Sequence, residues 1–113
     1  MKLKFYNEFV KQYKNFAGIL KDANTLNYNG INQMKSNCKN MLCGMISLAI
    51  SLKIISYAEY NKLYNIIDLI SCYEKAMNEI ELLVENLYDE CGDIYNKSYK
   101  HININIIKKV SIL

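Results

Sequence analysis

The chain has 113 residues, 51 % of them hydrophobic, with no proline, no tryptophan and only four glycines. That length sets an expectation of one domain over residues 1–113, its apolar content argues against disorder, and so few backbone breakers leave room for long helices. Fourteen lysines, no arginine and eleven acids give a net charge of +3. Fifteen asparagines, sixteen isoleucines and ten tyrosines accompany them, a bias that AT-rich codons explain. The missing guanidinium makes base and phosphate readout the weaker reading.

Residues 3 to 21 place Tyr6, Phe9, Val10, Tyr13, Phe16, Ala17 and Leu20 at helical spacing, with Lys4, Lys11, Lys14 and Lys21 opposite. This is an amphipathic helix carrying a lysine stripe. "DANTLNYNGIN" follows and supplies turn chemistry, since Asn and Asp tolerate left-handed backbone and Asn29-Gly30 breaks a helix.

A second helix is predicted from about residue 31 to 53. Its stripe is Ile31, Met34, Cys38, Met41, Leu42, Met45, Leu48, Ala49 and Leu52, with Ile46 and Ile50 extending it to a second face. A helix apolar over so much of its circumference belongs in the middle of a bundle or in an interface. The run Met41–Leu52 is too short for a bilayer, which needs about 20 apolar residues.

The third segment begins at Ser56, which forms an S-x-x-E capping box with Glu59, flanked by Ile55 and Tyr60 at staple positions. Its stripe is Tyr60, Leu63, Tyr64, Ile67, Ile70, Tyr73, Met77, Ile80, Val84, Leu87 and Cys91, with Gly92 as the natural stop. The spacing slips at Ile67–Ile70–Tyr73, beside a second S-x-x-E of Ser71 and Glu74. Either one long, bent helix runs through the slip or two helices break near Ser71; the first is the expectation. The tail "HININIIKKVSIL" fits both strand and helix periodicities, and lacking a strand partner it is read as helix. The expected fold is all-α, an antiparallel bundle of three to four helices with one long helix in the C-terminal half.

Chemistry-bearing motifs are sparse. Cys38 and Cys43 have four residues between them and point about 140° apart on a helix. Cys38, Cys72 and Cys91 fall on or beside apolar stripes, so packed thiols are expected rather than a metal site. His101 is the only histidine, and no phosphate loop or HExxH appears. No catalytic residue, metal or cofactor is assigned, and the chain is not expected to be an enzyme. Four cysteines without a secretory h-region suggest reduced thiols and a cytoplasmic protein with no membrane segment.

Charge carries the remaining information. Residues 1–53 hold eight lysines against Glu8 and Asp22, a net +6, whereas residues 54–96 hold nine acids against Lys62 and Lys75, a net −7. Along a helix Glu74, Glu81, Glu85 and Asp89 align within roughly 80°, flanked by Glu79, Glu90 and Asp93. Such a strip stays solvated, pairs with the lysine stripe, or meets a basic partner. Leu82 lies inside the arc and Leu83 at its edge. Tyr57, at the first turn of its helix, projects outward as an interface tyrosine does, while Tyr60 and Tyr64 are expected in the core.

The stretch "GMISLAISLKIISYAEYNKLYNII", residues 44 to 67, resembles the helical hairpin of short accessory proteins from phages, plasmids and integrated elements of low-GC Gram-positive bacteria. Inhibitors of host defence, anti-CRISPR proteins among them, belong to that group. The usual glycine before the turn is replaced here by Lys53 or Ile54. The resemblance implies a mobile-element inhibitor acting by protein–protein interaction.

The expected function is therefore a non-catalytic binding protein that inhibits or regulates a protein or ribonucleoprotein with a basic surface. Its partner-binding residues would be Glu74, Glu81, Glu85, Asp89, Leu82 and Tyr57. The alternative is a small DNA-binding regulator, acting as a homodimer through Lys4, Lys11, Lys14 and Lys21.

Overall fold

The computed structural model describes residues 1–27 and 29–91, with side chains as far as Asn86. Four helices follow one another: α1 (Lys2–Thr25), α2 (Ile31–Ser51), α3 (Tyr57–Asp68) and α4 (Tyr73–Cys91). The arrangement is all-α, with no strand among the described residues. The expected Gly92 stop and the tail from residue 101 lie outside them. The chain divides into two units, Met1–Glu81 and Leu82–Leu113. The packing that follows is that of the first.

Helix α1 buries Tyr6, Phe9, Tyr13, Ala17, Leu20 and Ala23, positions separated by steps of three or four residues that keep one face inward. Phe5, Phe9 and Tyr13 run as a ring ladder along it, with centroids 6.1 and 5.9 Å apart. The helix ends on Asn27 at φ 52°, the left-handed position that asparagine tolerates.

Helix α2 packs against both α1 and α3. Its inward row is Cys38, Leu42, Ile46 and Ala49. Met41, Leu48 and Leu52, which the sequence puts in the core stripe, are 53, 61 and 60 % exposed, while Ile46 is fully buried. The correction has a simple cause. A helix apolar on two adjoining faces can turn either one inward, and periodicity alone does not say which.

The α2–α3 connection satisfies both helix ends. Ile54 N–H donates to the Ala49 carbonyl at 2.8 Å and Lys53 N–H to the Ile50 carbonyl at 3.0 Å, the paired bonds of a Schellman stop. Lys53 takes the left-handed residue of that stop at φ 59°, where glycine ordinarily sits. Ser56 then starts α3: its Oγ accepts from Glu59 N–H at 3.2 Å, and Ser56 N–H donates to Glu59 Oε1 at 3.0 Å. The capping box is complete, with Ile55 buried beside it.

The single long helix is not what forms. After Asp68 the chain winds tighter: Leu69 N–H donates to Ile66, Ile70 to Ile67 and Cys72 to Leu69, each three residues back. Helical bonding resumes with Ala76 N–H on the Cys72 carbonyl. Three residues per turn is 3₁₀ geometry, and it lets Ile67 and Ile70 both be buried. The slip in the apolar pattern is thus the break itself. Ser71 precedes α4 by two residues. The break is anchored from α1, where the buried Tyr13 hydroxyl donates to the Ile66 carbonyl. Leu63, Ile66, Ile67, Ile70, Ala76 and Ile80 complete the core of this unit.

Candidate interaction surface

Helix α4 begins with Glu74 in its first turn and turns Ala76 and Ile80 inward. That orientation leaves Glu74 and Glu81 exposed. Neither forms an ion pair or hydrogen bond among the described residues. The expected alternative, pairing with the lysines of α1, is not made there. In the second unit, Glu85 is exposed, Leu82 is 52 % exposed and Leu83 is buried. Asp89 lies in the last turns of α4 and its side chain is outside the described residues, as are Glu90, Cys91, Asp93 and His101. Glu79 is half-buried.

The lysines of α1 are all on the outside. Lys4, Lys11 and Lys14 have no carboxylate partner among the described residues, whereas Lys21 places its Nζ 4.3 Å from the centre of the Tyr73 ring. That cation–π contact ties α1 to the start of α4 and leaves Lys21 exposed and charged.

Tyr57 is 71 % exposed, as the first-turn position predicts. Tyr64, expected inside, is 44 % exposed, because Ile66 takes the core position its stripe would have filled. Tyr57, Tyr60 and Tyr64 stack in sequence at 6.2 and 6.4 Å between centroids. Tyr57 and Tyr64 are exposed and Tyr60 half-buried between them, so the row offers an aromatic surface on α3.

Glu59 caps α3 as its spacing from Ser56 predicts, but its contacts to another helix are not visible in the sequence. It is more than half of a capping box. Tyr6 Oη donates to its Oε2 at 2.7 Å and Lys2 Nζ lies 2.9 Å from Oε1. Burial by itself would raise this carboxyl, but the hydrogen bonds from the Ser56 backbone, Tyr6, Lys2 and the Ser56 hydroxyl outweigh it and hold the group below its usual range. A side chain engaged on every side in this way staples α1 to α3. It is not a free acid for catalysis.

Cys38 is buried, Cys43 half-buried and Cys72 exposed, all as free thiols. Burial pushes the Cys38 thiol up, and burial together with Asp68 does the same to Cys43 against the partial offset of Lys39. Thiols raised in this way stay protonated near neutrality and make poor nucleophiles and ligands. No group of three or more metal-binding side chains occurs among the described residues, and none of their helices is long and apolar enough to cross a membrane.

No protein-family model, curated protein or solved structure matches the chain.

Proposed function

We propose that this is a non-catalytic, cytoplasmic binding protein that inhibits or regulates a protein or ribonucleoprotein complex with a basic surface. The observation that carries the reading is the state of the α4 acids: Glu74, Glu81 and Glu85 are exposed and lack any cation among the described residues. An exposed leucine, Leu82, sits beside them. Unneutralised carboxylates around an apolar contact suit a lysine- or arginine-lined groove, where charge steers encounter and the leucine supplies desolvated contact. A nucleic-acid channel of a CRISPR-type host-defence complex has that character, and the mobile-element resemblance of residues 44–67 points the same way. Tyr57 is a second contact residue on this reading.

Lys4, Lys11 and Lys14 support the alternative, a DNA-binding regulator, because they too are exposed and unpaired among the described residues. Two measurements separate the readings. Affinity capture from a bacterial host, identified by mass spectrometry, should recover a basic partner with the wild-type chain and lose it with E81K/E85K. The alternative wins instead if the purified protein shifts duplex DNA at physiological salt and a Lys4/Lys11/Lys14 triple-alanine variant does not.

A further inference from the structure

Basic residues predominate among the exposed charges of α1 and acidic residues among those of α4. Lys4, Lys11 and Lys14 mark α1, and Glu74 and Glu81 mark the first half of α4. Two copies meeting through either face would bring like charges together. The outer face of α2 differs. No charged residue occurs from Asn40 to Leu52. Met41, Leu48 and Leu52 stand exposed along it with Met45 half-buried between them. At 100° per residue these four side chains fall within roughly 60° of arc. They form one apolar ridge beside the inward row of Cys38, Leu42, Ile46 and Ala49.

Gly44 borders the ridge. A Cβ at that position would meet nothing within 4 Å, so no neighbour in the described structure requires a glycine that weakens a helix interior relative to alanine. The missing side chain does lower the surface where a second backbone could approach.

The ridge is also self-complementary. Its steps of four, three and four residues read the same in both directions. An antiparallel copy related by a two-fold axis at the level of Ile46 and Ser47 would set Met41 against the partner's Leu52, and Met45 against the partner's Leu48. Asn40 would then face the partner's Lys53, so lysine does not oppose lysine there. Lys39 is directed instead at Asp68 of its own chain, at 4.0 Å. An isologous interface requires this kind of palindromic match.

We infer that Met41, Met45 and Leu48 of α2, with Leu52 at its C-terminal cap, form a homodimer surface on which a second copy of this chain seats its own α2 antiparallel. The ridge covers about 17 Å of helix and offers four side chains, far fewer than the roughly 20–30 residues a side of a standard interface. The dimer is accordingly weak and assembles in the upper micromolar range. It does not depend on the α4 contact proposed above, which lies on a different helix.

Sedimentation equilibrium of the full chain from about 10 μM to about 1 mM spans the relevant affinities. Wild type should pass from monomer to dimer, and M45K and L48D should each raise the dissociation constant at least tenfold. An equimolar mixture of the two variants should recover association, because the introduced lysine faces the introduced aspartate while the other Met45–Leu48 contact remains intact. Circular dichroism and the thermal midpoint should be unchanged, since neither position is in the core. A wild type that stays monomeric to about 1 mM overturns the inference. So does dimerisation that folded M45K and L48D variants leave intact, or a mixture that fails to recover it. Capture of an amphipathic helix from another protein on a monomeric α2 would assign the ridge to a different occupant and overturn it as well.

Discussion

The hydroxyl of Tyr13, in the middle of α1, donates a 2.6 Å hydrogen bond to the main-chain carbonyl of Ile66, three residues before the tight winding that separates α3 from α4. The side chain is fully buried and its ring stacks on Phe9. Helix C-terminal carbonyls need partners, and here a tyrosine 53 positions away supplies one. Tyr13→Phe keeps the ring and removes the bond, so it should cost about 1 kcal/mol in urea unfolding. The loss stays modest because Leu69 N–H also donates to that carbonyl.

The same hydroxyl makes stability fall at high pH. Burial, then the charges of Glu79 and Cys72, push its pKa well above the ordinary tyrosine value. The unfolded chain therefore releases this proton first, near pH 10. Below that pH the contribution of Tyr13 is fully present. Above it, stability should decline by roughly 1.4 kcal/mol per pH unit until the folded pKa is reached. Denaturant titrations between pH 9 and 11 should show the slope in wild type and a shallower one in Tyr13→Phe.

Glu59 has the opposite sign. Its folded pKa is depressed despite burial, by bonds from Ser56, Tyr6 and Lys2. Its contribution is complete above the unfolded value near 4.3 and is lost as pH falls through the lower folded value. Glu59→Gln should lower stability at pH 7 by about 1–2 kcal/mol and weaken the acid dependence below pH 4.5. Ser56→Ala removes the cap acceptor and the hydroxyl's bond to Glu59, leaves the Tyr6, Lys2 and backbone bonds in place, and should cost about 1 kcal/mol. Thermal melts from pH 3 to 7 distinguish the two.

Lys53 is strained where it stands. An L-residue in the left-handed region costs on the order of 1–2 kcal/mol, and glycine recovers most of that against its greater freedom in the unfolded chain. Lys53→Gly should stabilise the protein by about 0.5–1 kcal/mol, a rise of a few degrees in Tm read by calorimetry. Lys53→Val should lower it, because a β-branched side chain tolerates positive φ least.

How far the sequence reaches can be seen at individual residues. The Ser56–Glu59 box, the buried row of α1 and the left-handed turn at Asn27 are local features, and local chemistry predicts them. The break after Asp68 was present as a slip at Ile67–Ile70, but a stammer within one helix produces the same pattern. Only the 3₁₀ bonds and the distant Tyr13 hydroxyl decide it. The Glu59 hub was half visible: the box is local, while Tyr6 and Lys2 arrive from another helix. The exposure of Glu74 and Glu81 follows from α4 turning Ala76 and Ile80 inward, and their lack of a cation among the described residues depends on where the lysines of α1 come to lie. No spacing rule contains that information.

The orientation of α2 is the point at which periodicity failed, and it can be tested directly. Ile46 and Leu48 are two residues apart, similar in size and equally apolar. Ile46 is fully buried and Leu48 lies open to solvent. Ile46→Ala should cost about 2–5 kcal/mol, since burial is lost and a cavity is left. Leu48→Ala should change monomer stability by no more than about 0.5 kcal/mol, because the surface it exposes was exposed already. Urea unfolding at low micromolar concentration, below the range in which copies associate, isolates this difference from any effect of self-association. A rotation of α2 that turned the Met41–Leu48–Leu52 ridge inward would reverse the two results. The ratio of the two costs therefore reads the facing of the helix, and with it whether the ridge is available to a second copy.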